Sequence, residues 1–372
     1  MTADQLKVPP VGGTQAARDG EDDHGGPSFD VNVRSIAFFL LFVAGIAAAL
    51  LFVLPQLTNL DDTWRRIEEG DPWWLSLCLL FTLGMFAGYV TLFQSVFVRE
   101  ESNLTWRESY QITMASLAAT RLFSAGGAGG IVLTAWALRR SGMDARTVAD
   151  RSVSFLVLQY LIYMLAIIVC GFGLRYGVFP GEAPFSITVI PATLALVITI
   201  LGLSVALVPT DFERRLRGFA CRKGRIGRLA QRLANGPAAA SAGMRDALSH
   251  VRYERDPAVL GALLYWGFQI AVLWAAFHAF GKPPPLAVLV LAFFVGMLGN
   301  LLPLPGGIGG VDGGMIGALV AFGVSGGLAF VAVLVYRGFT FWLPTIPGVV
   351  AYLQLRRTVD RWRASPPLSY TN

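Results

Sequence analysis

Of 372 residues, 54% are hydrophobic and only 15% charged, with a formal net charge of +6 and a mean hydropathy of +0.57. A soluble domain carries roughly a quarter charged residues, so this balance excludes a soluble enzyme and predicts a polytopic membrane protein. Three cysteines (Cys78, Cys170, Cys221) and three histidines (His24, His250, His278) are scattered without ligand spacing, so neither a metal site nor a cofactor is expected.

In chain order, residues 1–34 are polar, acidic and rich in Gly and Pro. They lack a basic stretch joined to a short apolar core, and read as a disordered cytoplasmic tail rather than a signal peptide. A helix needs about 20 apolar residues to cross the hydrocarbon. Six segments satisfy this: Ile36–Leu54, Trp73–Phe97, Val153–Phe172, Phe185–Val208, Val259–Phe280 and Leu328–Leu353. Two more, 109–138 and 286–323, are apolar but broken in the middle by Gly126-Gly127-Ala128-Gly129-Gly130 and Gly306-Gly307-Ile308-Gly309-Gly310, one pattern repeated at a displacement of 180 residues. A break frees backbone N–H and C=O groups that hydrocarbon cannot satisfy, so it belongs where it is buried in protein or lines a cavity. Matching breaks in the two halves of a chain point to a midplane substrate site in a transporter fold.

Lys and Arg set the orientation. The segment 209–257 holds 11 cationic residues and the C-terminal tail four, so both are expected in the cytoplasm. One span, one broken segment and one further span lie between them. Two crossings already return the chain to its starting side, so the broken segment enters and leaves by the outer face. The same argument run backwards makes 139–152 internal, 173–184 external and the first broken segment a hairpin from the cytoplasm. This arrangement puts 24 cationic residues inside and four outside, leaving Arg121 and Arg337 within the membrane. The expected architecture is therefore all-α: about six transmembrane helices plus two re-entrant, glycine-broken hairpins in an inverted-topology repeat. It divides into a tail (1–34), a transmembrane domain (35–357) and a C-terminal cytoplasmic tail (358–372).

Ionisable groups at membrane depth cost roughly 2.5–3.5 kcal/mol each, so they face a cavity or a partner. Arg121 precedes the first glycine turn, Asp312 follows the second, and Arg337 lies in the last span. A guanidinium fork matches phosphate oxygens bidentately, and broken helix ends add N–H donors. The expected substrate-binding set is Arg121, Gly126, Gly127, Gly129, Asn300, Gly306, Gly307, Gly309, Asp312, Tyr336 and Arg337. The competing expectation is that Asp312 and Arg337 pair to lock the second hairpin. Gln159, Gln269, Tyr160, Tyr163 and Tyr336 are explained by hydrogen bonding between helices. Pro303 and Pro305 should end a half-helix, and Pro344 and Pro347 should kink the last span. The Arg-rich stretch of 209–257 has apolar residues interleaved, which suits an anionic lipid surface and not nucleic acid.

The block GGAGGIVLTAWALRRSGM with ARTVADRSVSFLVLQY, and more specifically NLLPLPGGIGGVDGG and LVYRGFTFWLPTIPGVVAYL, resemble the lysylphosphatidylglycerol synthase transmembrane-region (flippase-like domain) family over about residues 35–357. The resemblance implies an all-helical lipid-translocating unit that, in full-length members, moves aminoacylated phosphatidylglycerol and carries a soluble transferase domain. It supports Gly306, Gly307, Gly309, Asp312, Tyr336 and Arg337 best. The first block departs from the family pattern, with Ile131 where an acid often follows the turn, while Asp150-Arg151 matches a later pair. The leading expectation is a flippase-like protein of a bacterial inner membrane, both termini cytoplasmic, moving an anionic phospholipid or lipid-linked carrier and not acting as an enzyme. The alternatives are a non-transporting subunit of an envelope-synthesis complex, or a membrane enzyme acting on a lipid phosphate. A second copy or an envelope-synthesis protein would be its partner.

Overall fold

The computed structural model describes residues 70–98, 104–122, 128–206, 241–252, 256–301 and 307–364. The expected N-terminal tail (1–34), the expected span Ile36–Leu54, most of 209–257 and the end of the C-terminal tail (365–372) lie outside these residues, as do Gly126, Gly127, Pro303, Pro305 and Gly306. The described residues form helices with no strand among them: α1 (Pro72–Phe97), α2 (Trp106–Leu122), α3 (Ala128–Arg140), α4 (Ala145–Arg175), α5 (Phe185–Ala206), α6 (241–252), α7 (Pro257–Phe280), α8 (Leu286–Met297, continued by a 3-10 turn Leu298–Leu301), α9 (Gly310–Ala321), α10 (Gly326–Arg337), a π-helical turn (Gly338–Trp342) and α11 (Leu343–Ala364). Five stretches are long and apolar enough to cross a membrane: Pro72–Phe97, Ala145–Arg175, Phe185–Ser204, Pro257–Phe280 and Gly326–Trp362. These are the five expected spans that fall within the described residues. The last is longer than the hydropathy pattern suggested, because helix continues past Leu353 to Ala364 and carries the basic residues of the C-terminal segment on its end.

Local sequence starts α1 and α7 with the same device. Each begins Asp-Pro, where proline's fixed φ suits the first helical position and its missing N–H is not needed. Asp71 accepts a hydrogen bond from Trp73 N at 2.9 Å, and Asp256 one from Ala258 N at 2.8 Å. Asp256 also lies 2.6 Å from Nδ1 of His250 on α6, while Asp246 lies 3.7 Å from Nε2. The carboxylates of Asp246 and Asp256 raise the His250 pKa against its burial, which favours the imidazolium and fastens α6 to the head of α7.

α1 and α7 pack antiparallel along their whole length: Asp71 N donates to Ala279 O at 3.1 Å at one end, and Gly261 meets Leu92 at the other. Small residues permit that approach, as Gly-x-x-x-Gly does between membrane helices generally. A Cβ at Gly88 would stand 2.8 Å from Tyr265 N, and one at Gly261 only 2.5 Å from Leu92 N. The contact is therefore backbone to backbone.

Each glycine break joins helices that fold back on one another. Between α2 and α3, Ser116 Oγ lies 2.7 Å from Thr134 Oγ1, and Gly130 presses on Ser116 and Thr120. Between α8 and α9, Gly296 meets Met315 and Gly314, Gly299 meets Gly310, and Gly307 meets Asn300. Both pairs are antiparallel, and none of the four helices reaches the 18 residues of a crossing. α2 packs along α11, and α8 packs along α4. Two large apolar cores result, with a smaller third of Met85, Phe86, Met114 and Ala351. Of the large two, one gathers Phe293, Phe294, Leu319, Val333 and Trp266; the other gathers Phe97, Ile112, Leu138, Leu158 and Leu355.

Candidate functional site

Arg121 ends α2 and reaches across to the π turn. Its guanidinium donates from Nη2 to Thr340 O at 2.8 Å and from Nη1 to Phe341 O at 2.9 Å, with Thr345 Oγ1 at 3.4 Å. The reason lies in the backbone opposite. Pro344 has no N–H to give to the carbonyl four residues earlier, Thr340 O, and the π turn shifts Leu343 N onto Gly338 O instead of an α-helical partner. Membrane helices tolerate such breaks only when another group takes up the freed carbonyls. Arg121, only 9% exposed, is that group.

Arg337 closes α10 and turns toward α9. Its Nε lies 2.6 Å from Asp312 Oδ1, and Asp312 Oδ2 accepts from Gly309 N at 2.9 Å. Asp312 thus does two things with its two oxygens: it satisfies an N–H at the head of α9 and holds the cation of α10. Gly307 and Gly309 make the turn possible, with φ of +67° and +83° in the left-handed region that glycine adopts freely. The pairing of Asp312 with Arg337 was the competing expectation from sequence, and the structure contains it. Both guanidiniums lie against one ring, Phe341, with Arg121 Cζ 5.1 Å and Arg337 Cζ 4.5 Å from its centroid.

The expected site residues therefore divide. Arg121, from the first half of the chain, meets Arg337 and Asp312, from the second, at Phe341. Tyr336 joins them through α7: its hydroxyl donates to Gln269 Oε1 at 2.8 Å. Gly307 and Gly309 shape the turn, and Gly129 is buried in the first turn of α3. Asn300 is exposed and sits against Gly307, with its amide 3.9 Å from Met297 Sδ, and no hydrogen bond among the described residues joins it to either arginine. Gly126, Gly127 and Gly306 fall outside the described residues. Sequence reasoning missed the π turn and Phe341; the spacing of Pro344 four residues after Thr340 was the available signal.

Among the described residues the cluster holds two guanidiniums and one carboxylate, a formal excess of one positive charge. No group of three or more His, Cys, Asp or Glu able to hold a metal occurs among the described residues.

Fold and site together define a multi-pass, all-α membrane protein organised around an internal charged cluster. The chain belongs to the family described as the lysylphosphatidylglycerol synthase TM region, whose profile matches residues 36–348. It is also similar to proteins named UPF0104 membrane protein from Methanothermobacter thermautotrophicus. One is 36% identical over 90 residues (24% of this chain, 27% of the relative), and another is 31% identical over 110 residues (28% and 31%). The matched stretches thus span about a quarter to a third of those relatives' length.

Proposed function

We propose that the protein moves a lipid with an anionic head group between leaflets, with the Arg121–Phe341–Arg337–Asp312 cluster as the head-group site. The observation that carries this reading is the gathering of two guanidiniums and one carboxylate, among the described residues, in buried and half-buried surroundings. Guanidiniums are costly in a low-dielectric interior, and a bound anion relieves that cost. Phosphate suits it, because a guanidinium presents a fork of donors to two oxygens. Aminoacyl or glycosyl phospholipids and lipid-linked carriers all supply that group. The reading needs no catalytic chemistry of the protein's own.

The two hairpins enter the membrane from opposite faces and make the halves an inverted repeat, with both termini in the cytoplasm of an inner-membrane protein. The packing supports this. Exchanging α1 with α7, α2 with α8, α3 with α9 and α4 with the α10–α11 path converts the α2–α11 contact into α8–α4, α2–α3 into α8–α9, and α7–α10 into α1–α4, all of which occur. The α1–α7 contact maps onto itself, as an antiparallel pair on a two-fold axis would. Proteoliposomes carrying fluorescent phosphatidylglycerol, its lysyl derivative or a polyprenyl phosphate test the function. Movement of one class by the wild type, absent in Arg337→Ala, is the expected result. No movement of any of the three by folded protein would overturn the proposal.

A further inference from the structure

The α10–α11 path changes partners at the π turn. α10 packs on α7 and α9, whereas α11 packs on α2 and α3. Side-chain contacts fasten each arm to its own hairpin. On α11, a Cβ at Gly348 would stand 2.8 Å from that of Ala118, Thr358 Oγ1 donates to Gln111 Oε1 at 3.0 Å, and Trp362 Nε1 donates to Glu108 Oε1 at 3.2 Å. On α10, Arg337 pairs with Asp312 of α9. Arg121 therefore belongs to one unit and the Asp312–Arg337 pair to the other, with Phe341 at the join.

That join is weak as a helix. Pro344 and Pro347 withhold the N–H groups that Thr340 O and Leu343 O would receive in an α-helix, and the π turn draws Leu343 N to Gly338 O. Gly338 opens the turn with ordinary helical φ and ψ of −52° each, and a Cβ there would meet nothing within 4 Å. Neither conformation nor packing calls for glycine at that position, and inside a helix glycine costs stability relative to alanine. Its effect is to loosen the join. α4, the counterpart in the inverted repeat proposed above, is one helix of 31 residues without a proline. Kinks sit at prolines and π turns, and a hinge motion is absorbed by a few such residues at the ends of elements.

We propose that the π turn is a hinge, and that bending there moves the α2–α3–α11 unit against α9–α10 and changes the separation of Arg121 from Arg337. Arg121 is its latch, because its bonds to Thr340 O and Phe341 O hold the turn against α2. The purpose of the motion rests on the head-group reading above: bending opens and closes the space between the two guanidiniums. The hinge itself rests only on the packing and the backbone.

The test is hydrogen exchange by mass spectrometry on the full-length protein in nanodiscs, beside lipid movement in proteoliposomes. Each variant is first shown to unfold cooperatively. Wild-type amides of 338–343 should exchange faster than those of 156–166 in the middle of α4. Gly338→Ala, which sets a methyl group into open space, should slow that exchange roughly fivefold and slow lipid movement with it. Pro344→Ala combined with Pro347→Ala supplies both missing N–H groups, so it should raise the melting temperature while lipid movement falls several-fold. Equal exchange in 338–343 and 156–166, or wild-type exchange in both variants, would overturn the hinge whether or not lipid moves. Lipid movement at the wild-type rate in the proline variant would overturn it as well. Fast, Gly338-sensitive exchange in a protein that moves none of the three lipids would instead uphold the hinge and remove the transport function.

Discussion

Replacing Arg121 by methionine should lower the unfolding free energy by about 1–3 kcal/mol, because Thr340 O would be left without a donor in apolar surroundings while Phe341 O keeps Thr345 Oγ1. Methionine keeps much of the apolar stem, so the loss would report on hydrogen bonds rather than on a cavity. Thr340 O belongs to a helix that cannot repair itself there, since Pro344 has no N–H to offer. Arg121→Lys should recover part of the loss, because an ammonium carries donors but not a planar fork. Unfolding of the purified protein by heat or denaturant checks this. A methionine variant within about 0.5 kcal/mol of wild type would mean that the π turn stands without Arg121, and would return Arg121 wholly to the ligand.

The second large effect is expected in a double-mutant cycle across Asp312 and Arg337. Asp312→Ala leaves the Arg337 cation without its 2.6 Å partner and also removes the acceptor of Gly309 N. Removing one member of a buried pair costs about 3–5 kcal/mol. Here the side chains are 12% and 22% exposed, so the lower end of that range, about 3 kcal/mol, is the expected loss for Asp312→Ala. Arg337→Ala should cost less, because the Asp312 carboxylate can still accept from Gly309. The double variant should be more stable than the sum of the two losses predicts, with a coupling of about 1.5–3 kcal/mol. It should also fail to move lipid, since the fold would then survive without the cation the head group needs. Additivity within about 0.5 kcal/mol would show that the two charges are not coupled.

Much of this was legible in the sequence because membrane physics writes in long, simple signals. Five spans follow from runs of about 20 apolar residues, and the two hairpins from glycine runs that interrupt such segments. The Asp312–Arg337 pair was legible as well, being the shortest way to neutralise an acid and a base in the same half of the chain. Helix–helix hydrogen bonding by polar residues of the spans was likewise anticipated, and Tyr336 to Gln269 and Tyr163 to Phe294 O are instances of it. The role of Arg121 was not legible. Its partners are main-chain carbonyls exposed by a π turn 219 and 220 residues away, and backbone groups leave no side-chain pattern to read. The antiparallel seam of α1 and α7 was also missed, since Gly84, Gly88 and Gly261 are too few to stand out in a chain with 41 glycines.

The central claim is that two glycine-broken hairpins open to opposite faces and bring their halves together at Phe341. Labelling from each side of the membrane tests it most directly. In a protein with its three native cysteines replaced, single cysteines at Thr105 and Ser141 bracket the α2–α3 hairpin, and at Lys282 and Ser325 the α8–α9 hairpin. An impermeant maleimide applied to sealed vesicles of known orientation should reach the first pair only from the cytoplasmic side and the second only from outside. Labelling of one hairpin's two ends from opposite faces, or of both hairpins from the same face, would contradict the inverted repeat and the site built upon it.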